Sequence, residues 1–160
     1  MRTDTKKEQN ESSALDNTSS GLSVERFLGV VTDTTSNTLK AGERVRVEDL
    51  IRGIIVLSGN DACVVIAEAL AGTEAEFARQ MTMRAQQLGM TNSTFTNSNG
   101  WPKAGHRMSM RDLGLVATKL IKDYPQYYPI FSQKEFLFDP AESANRLNRN
   151  PLLGLGIGAD

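Results

Sequence analysis

Ser58, Gly59 and Asn60 stand at the joint between two apolar runs, in IIVLSGNDACVVIAEALAG. A hydroxyl can take or pass a proton, and an amide both donates and accepts hydrogen bonds. A glycine lets the backbone turn sharply and approach another molecule. The tripeptide therefore has two readings. Either it starts the second helix, with Asn60 as N-cap, or it is part of an active site. Taken alone it favours the first, because short motifs match often by chance.

Other chemistry-bearing residues read more plainly. His106 is the single histidine. With no Asp or Ser nucleophile to pair it with, it reads as an exposed loop residue. Cys63 is the single cysteine, so no disulfide forms within the chain. Its place in an apolar helix predicts a buried, inert thiol. GLGIG near the end lacks the strand and helix that would make it a phosphate loop. No ligand spacing calls for a metal, and no cofactor is implied.

The elements that must position the tripeptide are helical. VEDLIRGIIVL places apolar residues at 47, 50, 51, 54 and 55, one buried face, with Glu48 and Asp49 in its first turn. The next helix runs to Gly72 and is apolar on nearly every side but Glu68, which predicts a central position. Thr73 and Glu76 form a capping box for a third helix. That helix carries Phe77, Met81, Ala85 and Leu88 on one face and stops at Gly89, and its methionines read as core fillers. A loop follows, with a short extended piece near Phe95. Ser109 caps a fourth helix, which Pro125 closes. KEFLF (134–138) alternates and reads as a strand, though the chain offers it no strand of similar quality to pair with. The tail from 148 reads as loop. Residues 1–20 are polar and are expected to be disordered.

The chain has 160 residues, 18 basic against 19 acidic, enough for one domain with a sizeable core. That balance gives no electrostatic case for nucleic acid. No run approaches the ~18 apolar residues of a membrane span. The charged N-terminus has no apolar region behind it, so it does not read as a signal peptide. On these grounds alone the chain is expected to be cytosolic.

Two longer stretches change the weight given to the tripeptide. GERVRVEDLIRGIIVLSGNDACVVIAEALAG, and the run AQQLGMTNSTFTNSNGWPKAGHRMSMRDLGLVATKLIKDYPQYYPIFSQKEFLF, resemble the D-alanyl-D-alanine carboxypeptidases, the low-molecular-mass penicillin-binding proteins. The S-G-N joint, the LGM-x-x-T-x-F-x-N-x-x-G stretch, GH, RDL and YYP occur in that order, from about Leu39 onward. The resemblance implies a serine peptidase that removes terminal D-alanine from peptidoglycan stem peptides, is acylated by β-lactams and works at the cell envelope or in the periplasm. Three motifs build such a site: S-x-x-K with nucleophile and base, S-G-N on the opposite wall, and a K-T-G strand. By this resemblance Ser58 is the relay hydroxyl, and Asn60 holds the lysine and the substrate's peptide carbonyl. Gly59 lets backbone approach substrate, and His106 lies at the rim of the cleft as a weak substrate contact.

The chain departs from that pattern. No serine has a lysine three residues later, and there is no K-T-G. Ser36 and Lys40 are four apart in a segment that forms helix poorly. The expected fold is thus an α-rich fragment of an α+β fold. It is the helical subdomain of the β-lactamase and penicillin-binding transpeptidase type, with most of the antiparallel sheet missing. A divergent segment, 1–38, precedes a partial catalytic domain, 39–160. The isolated chain is expected to be inactive and to self-associate through uncovered apolar faces. Two alternatives stand beside the carboxypeptidase: a class A β-lactamase relative, against which SGN in place of SDN argues, and a non-catalytic module that binds peptidoglycan peptides.

Overall fold

A computed structural model describes residues 28–30 and 44–157. The expected disorder of 1–20 and the Ser36–Lys40 pair lie outside these. Strands β1 (Leu28–Val30) and β2 (Arg44–Arg46) form a two-stranded antiparallel ribbon, with Gly29 opposite Val45. Four helices follow: α1 (Val47–Leu57), α2 (Asn60–Ala71), α3 (Glu74–Gln87) and α4 (Met110–Asp123). The helix-rich, sheet-poor architecture is the one expected.

The helix ends follow from their capping residues. Thr73 accepts the Glu76 N–H at 3.2 Å, and Gly72 before it has φ 78°, a value that favours glycine. Ser109 accepts the Asp112 N–H at 3.2 Å. The first-turn acids of α1 pair with Arg46 and Arg52. The start of α2 differs from expectation. Gly59, not Asn60, is its N-cap, no side chain caps it, and Asn60 is its first helical residue.

Val45, Leu50, Ala62 and Val65 form a buried cluster, with Ile54, Ile66 and Phe138 packed on it. In α1 the buried positions are Leu50, Gly53, Val56 and Leu57, so the face is turned from the expected 47/50/51/54/55. Gly53 explains the rotation. A Cβ there would lie 4.0 Å from the Ala62 Cβ, so α1 and α2 meet through two small residues that apolar periodicity undercounts. In α2 only Ala62, Val65 and Ala67 are fully buried, and Leu70 is 57% exposed. The helix is not covered on all sides.

Residues 134–138 are not a strand. A single antiparallel bridge joins Glu135 to Leu147, carried by Phe136 N–H to Arg146 O and Asn148 N–H to Lys134 O, both 2.8 Å. The alternation is nevertheless real, since Phe136 and Phe138 are half-buried while Leu137 is exposed. Asp139 and Pro140 then end the pairing in a short 3-10 turn, because proline brings no N–H. The tail is a 3-10 turn as well, Pro151–Leu155.

The loop between α3 and α4 is fastened at several points. Ser98 donates through its backbone N–H and its hydroxyl to Glu74. The Phe95 N–H donates to Thr82 Oγ1 at 2.9 Å, and Thr94 bridges Arg107. Asp112, wholly buried, accepts from the Asn92 N–H at 2.9 Å and the Ser93 hydroxyl at 2.8 Å. Of the α3 methionines, Met81 is half-buried, but Met83 is 47% exposed and lies against Arg79. It is no core filler.

Candidate active site

Ser58 ends α1 with φ 59° and ψ 41°. Among the described residues it is the single non-glycine with positive φ. That left-handed conformation crowds Cβ against the following carbonyl and costs ~1–2 kcal/mol. It is held locally by the Gly53 carbonyl, which accepts the Ser58 N–H and the Gly59 N–H, the latter at 3.0 Å. Gly59 fits closely against the end of α1. A Cβ on it would come to 3.2 Å from the Gly53 oxygen and 3.4 Å from Asp61 Oδ1. The turn therefore exposes Ser58 and leaves Asn60 exposed at the head of α2, with no capping duty for its amide.

The turn borders a cavity of about 230 Å³. Its far side comes from the C-terminal segment, as Phe138, Asn145 and Arg149. Arg149 donates its backbone N–H to Val56 O at 3.1 Å and its Nε to Leu57 O at 3.3 Å. Its Nη2 donates to Asn145 Oδ1. Phe138 closes the alternating KEFLF run, whereas Asn145 and Arg149 carry no motif and nothing in the sequence pattern marks them.

The other candidates lie elsewhere. His106 is half-buried rather than exposed. Its Nδ1 accepts the Thr96 N–H at 3.3 Å, and its ring stands edge-on to Phe95, centroids 5.6 Å apart. It is not among the residues lining the cavity beside Ser58. Cys63 is half-buried. Burial first, then the charges of Asp61 and Glu74, pushes its thiol up to about 11, so it is no nucleophile at neutral pH. Among the described residues no three His, Cys, Asp or Glu gather to hold a metal. None of their helices is long and apolar enough to cross a membrane.

A strained serine, a closely fitted glycine and an exposed asparagine thus stand together beside the cavity. The family model described as D-alanyl-D-alanine carboxypeptidase matches residues 11–157. The chain belongs to the D-alanyl-D-alanine carboxypeptidase family. It is 41% identical over 108 residues to D-alanyl-D-alanine carboxypeptidase DacC of Escherichia coli, covering 68% of this chain and 27% of that protein. The solved penicillin binding protein 5 of Haemophilus influenzae superposes with a TM-score of 0.68 at 37% identity, over 76% of this chain and 35% of the other. Penicillin-binding protein D2 of Listeria monocytogenes, solved with ampicillin bound, superposes at 0.59 and 30% identity, over 70% and 46%. The chain thus spans less than a third of the length of the curated relatives it matches, DacC among them.

Proposed function

We propose that this chain supplies the S-G-N wall of a serine-type D-Ala-D-Ala carboxypeptidase, which removes terminal D-alanine from peptidoglycan stem peptides at the cell envelope. The observation that carries the reading is the left-handed turn at Ser58. That turn exposes the Ser58 hydroxyl and leaves the Asn60 side chain exposed without a capping bond, as the relay and holding roles require. In this role the Ser58 hydroxyl passes a proton toward the leaving amine while a serine activated by its base attacks the carbonyl. Asn60 holds the lysine amine through its oxygen and the substrate carbonyl through its NH₂. Gly59 lets the turn lie close to the peptide. The same wall faces β-lactams, as the ampicillin-bound relative suggests.

Nucleophile and base are not among the motifs of these 160 residues, so the test supplies them. Residues 44–157 replace the matching segment of a family carboxypeptidase, and D-alanine release is measured. The chimera is expected to turn over. Ser58→Ala is expected to lower kcat by about 10²-fold or more with little change in KM, the range of a general acid–base group. Unchanged turnover in the alanine variant would remove the role.

A second reading is binding without turnover. The unaltered chain would then bind a D-Ala-D-Ala peptide and release no D-alanine. We infer too that the chain self-associates through its uncovered apolar surface. That surface includes Leu70, Trp101 and Met110, exposed by 57, 64 and 81%, and an open groove between α3 and α4 lined by Phe77, Met81, Leu88, Phe95 and Val116 among others.

A further inference from the structure

Arg149 has no place in the chemistry assigned to the S-G-N wall, yet it touches the residue just before Ser58. We propose that Arg149 is a positioning residue that holds Ser58 in its left-handed conformation by seating the last carbonyls of α1. Its functional meaning rests on the reading of Ser58 as the relay hydroxyl, but the contact itself is a matter of conformation.

The carbonyls of the last turn of a helix have no partner within it, and α1 has no basic residue in its own last turn. The cation that a helix C-terminus favours comes instead from 92 residues downstream. Arg149 Nε meets Leu57 O at 3.3 Å, and its backbone N–H meets Val56 O at 3.1 Å. The Leu57 oxygen lies in the peptide plane that joins Leu57 to Ser58. A bond to it fixes the plane about which the φ of Ser58 is set, and so fixes where the Ser58 side chain points.

The clamp is anchored in turn. Arg149 Nη2 donates to Asn145. The neighbouring Asn148 side chain donates to Gln133 O at 2.8 Å and to Phe131 O at 3.3 Å. Arg149 therefore arrives at α1 from a fixed base.

The test uses the whole 160-residue chain, isotope-labelled, and reads conformation by NMR. Exchange of the Ser58 and Gly59 amides, both bonded to Gly53 O, reports the turn. Ser58 Cα and Cβ shifts report its φ. Exchange at Leu88 and Met90, bonded within the end of α3, reports the fold as a whole. Arg149→Ala is expected to speed exchange at Ser58 and Gly59 about tenfold, the size of one lost charge-assisted bond, and to shift the Ser58 carbons. Leu88 and Met90 should stay within about twofold. Arg149→Lys keeps the charge without the fork and should fall between.

In a Ser58→Gly background the left-handed conformation has no Cβ cost. Arg149→Ala should then change Gly59 exchange by less than about twofold. A full tenfold effect in that background would reduce Arg149 to general packing and overturn the proposal, as would unchanged exchange in the wild-type background. If Arg149→Ala loses protection at Leu88 and Met90 as well, Arg149→Lys decides. A folded lysine variant with faster exchange at Ser58 and Gly59 upholds the role, and one with native exchange and native Ser58 shifts sinks it. None of these readings depends on turnover, so failure of the Ser58 relay in the chimera would leave this result standing.

Discussion

Gly59 is where a single methyl group would be felt most sharply beside Ser58. Its backbone angles are ordinary, so the penalty for a side chain is contact with the Gly53 carbonyl at 3.2 Å. Gly59→Ala is expected to destabilise the chain by about 1–2 kcal/mol through local overpacking, read as a lower urea midpoint. An unchanged midpoint would mean that the end of α1 yields at no cost. Cys63 gives a second check at this scale. Burial and the charges of Asp61 and Glu74 push the thiol up to about 11, which cuts its thiolate fraction, so iodoacetamide at pH 8 should label the native chain about tenfold or more slower than the unfolded one. Rapid native labelling would show that the thiol is open. The small residues and the glycine of the joint were legible in the sequence. The left-handed serine was not, because serine is not a residue type that announces positive φ.

Among elements, the start of α4 and the loop before it are tied through one carboxylate. Burial pushes Asp112 up. The Ser93 hydroxyl, the Asn92 N–H, Ser109 and the Arg111 charge together more than offset it, and hold the group below the usual range. A lowered folded value means stability that is present above the unfolded value of about 3.9 and is lost as pH falls through the folded one. Asp112→Asn should therefore lower the urea midpoint at pH 6 and flatten the fall between pH 5 and 2. An equally steep acid fall in the variant would place the acid sensitivity elsewhere, with Glu74 next. That carboxyl is also held down, first by the Ser98 N–H. Helix ends were legible because Thr73, Gly72, Ser109 and Gly89 are capping residues placed beside clear apolar periodicity. The strand expected at 134–138 was not borne out, because alternation tells which way side chains face, not how long a partner runs alongside. In α1, Gly53 carried contact that a count of apolar residues assigns to larger neighbours.

At the scale of the whole molecule, the proposed self-association rests on uncovered apolar side chains. Met110, Trp101, Leu155 and Ile157 are each more than 60% exposed, and a net charge of −1 gives little repulsion. Dimers or larger species are expected at micromolar concentration, with binding of a hydrophobic dye. Light scattering decides it, since a dye-negative monomer would sink the expectation. Of the candidate site, the sequence made one face legible, through residues 58–60. On the other face of the cavity the alternation of KEFLF marked Phe138, but Asn145 and Arg149 were hidden, because Arg149 joins α1 from 92 residues away by hydrogen bonds that leave no local pattern.

That distance also sets an order in time. At about 5–20 residues per second of synthesis, Arg149 leaves the ribosome roughly 5–18 s after Leu57, to which it binds across 92 positions. Helices α1, α2 and α3 are adjacent in sequence and can dock well within that interval. The serine turn is then completed last, on a scaffold already folded. A nascent chain stalled before Asn145 emerges should show a protected α3 and faster exchange of the Gly59 amide than in the complete chain.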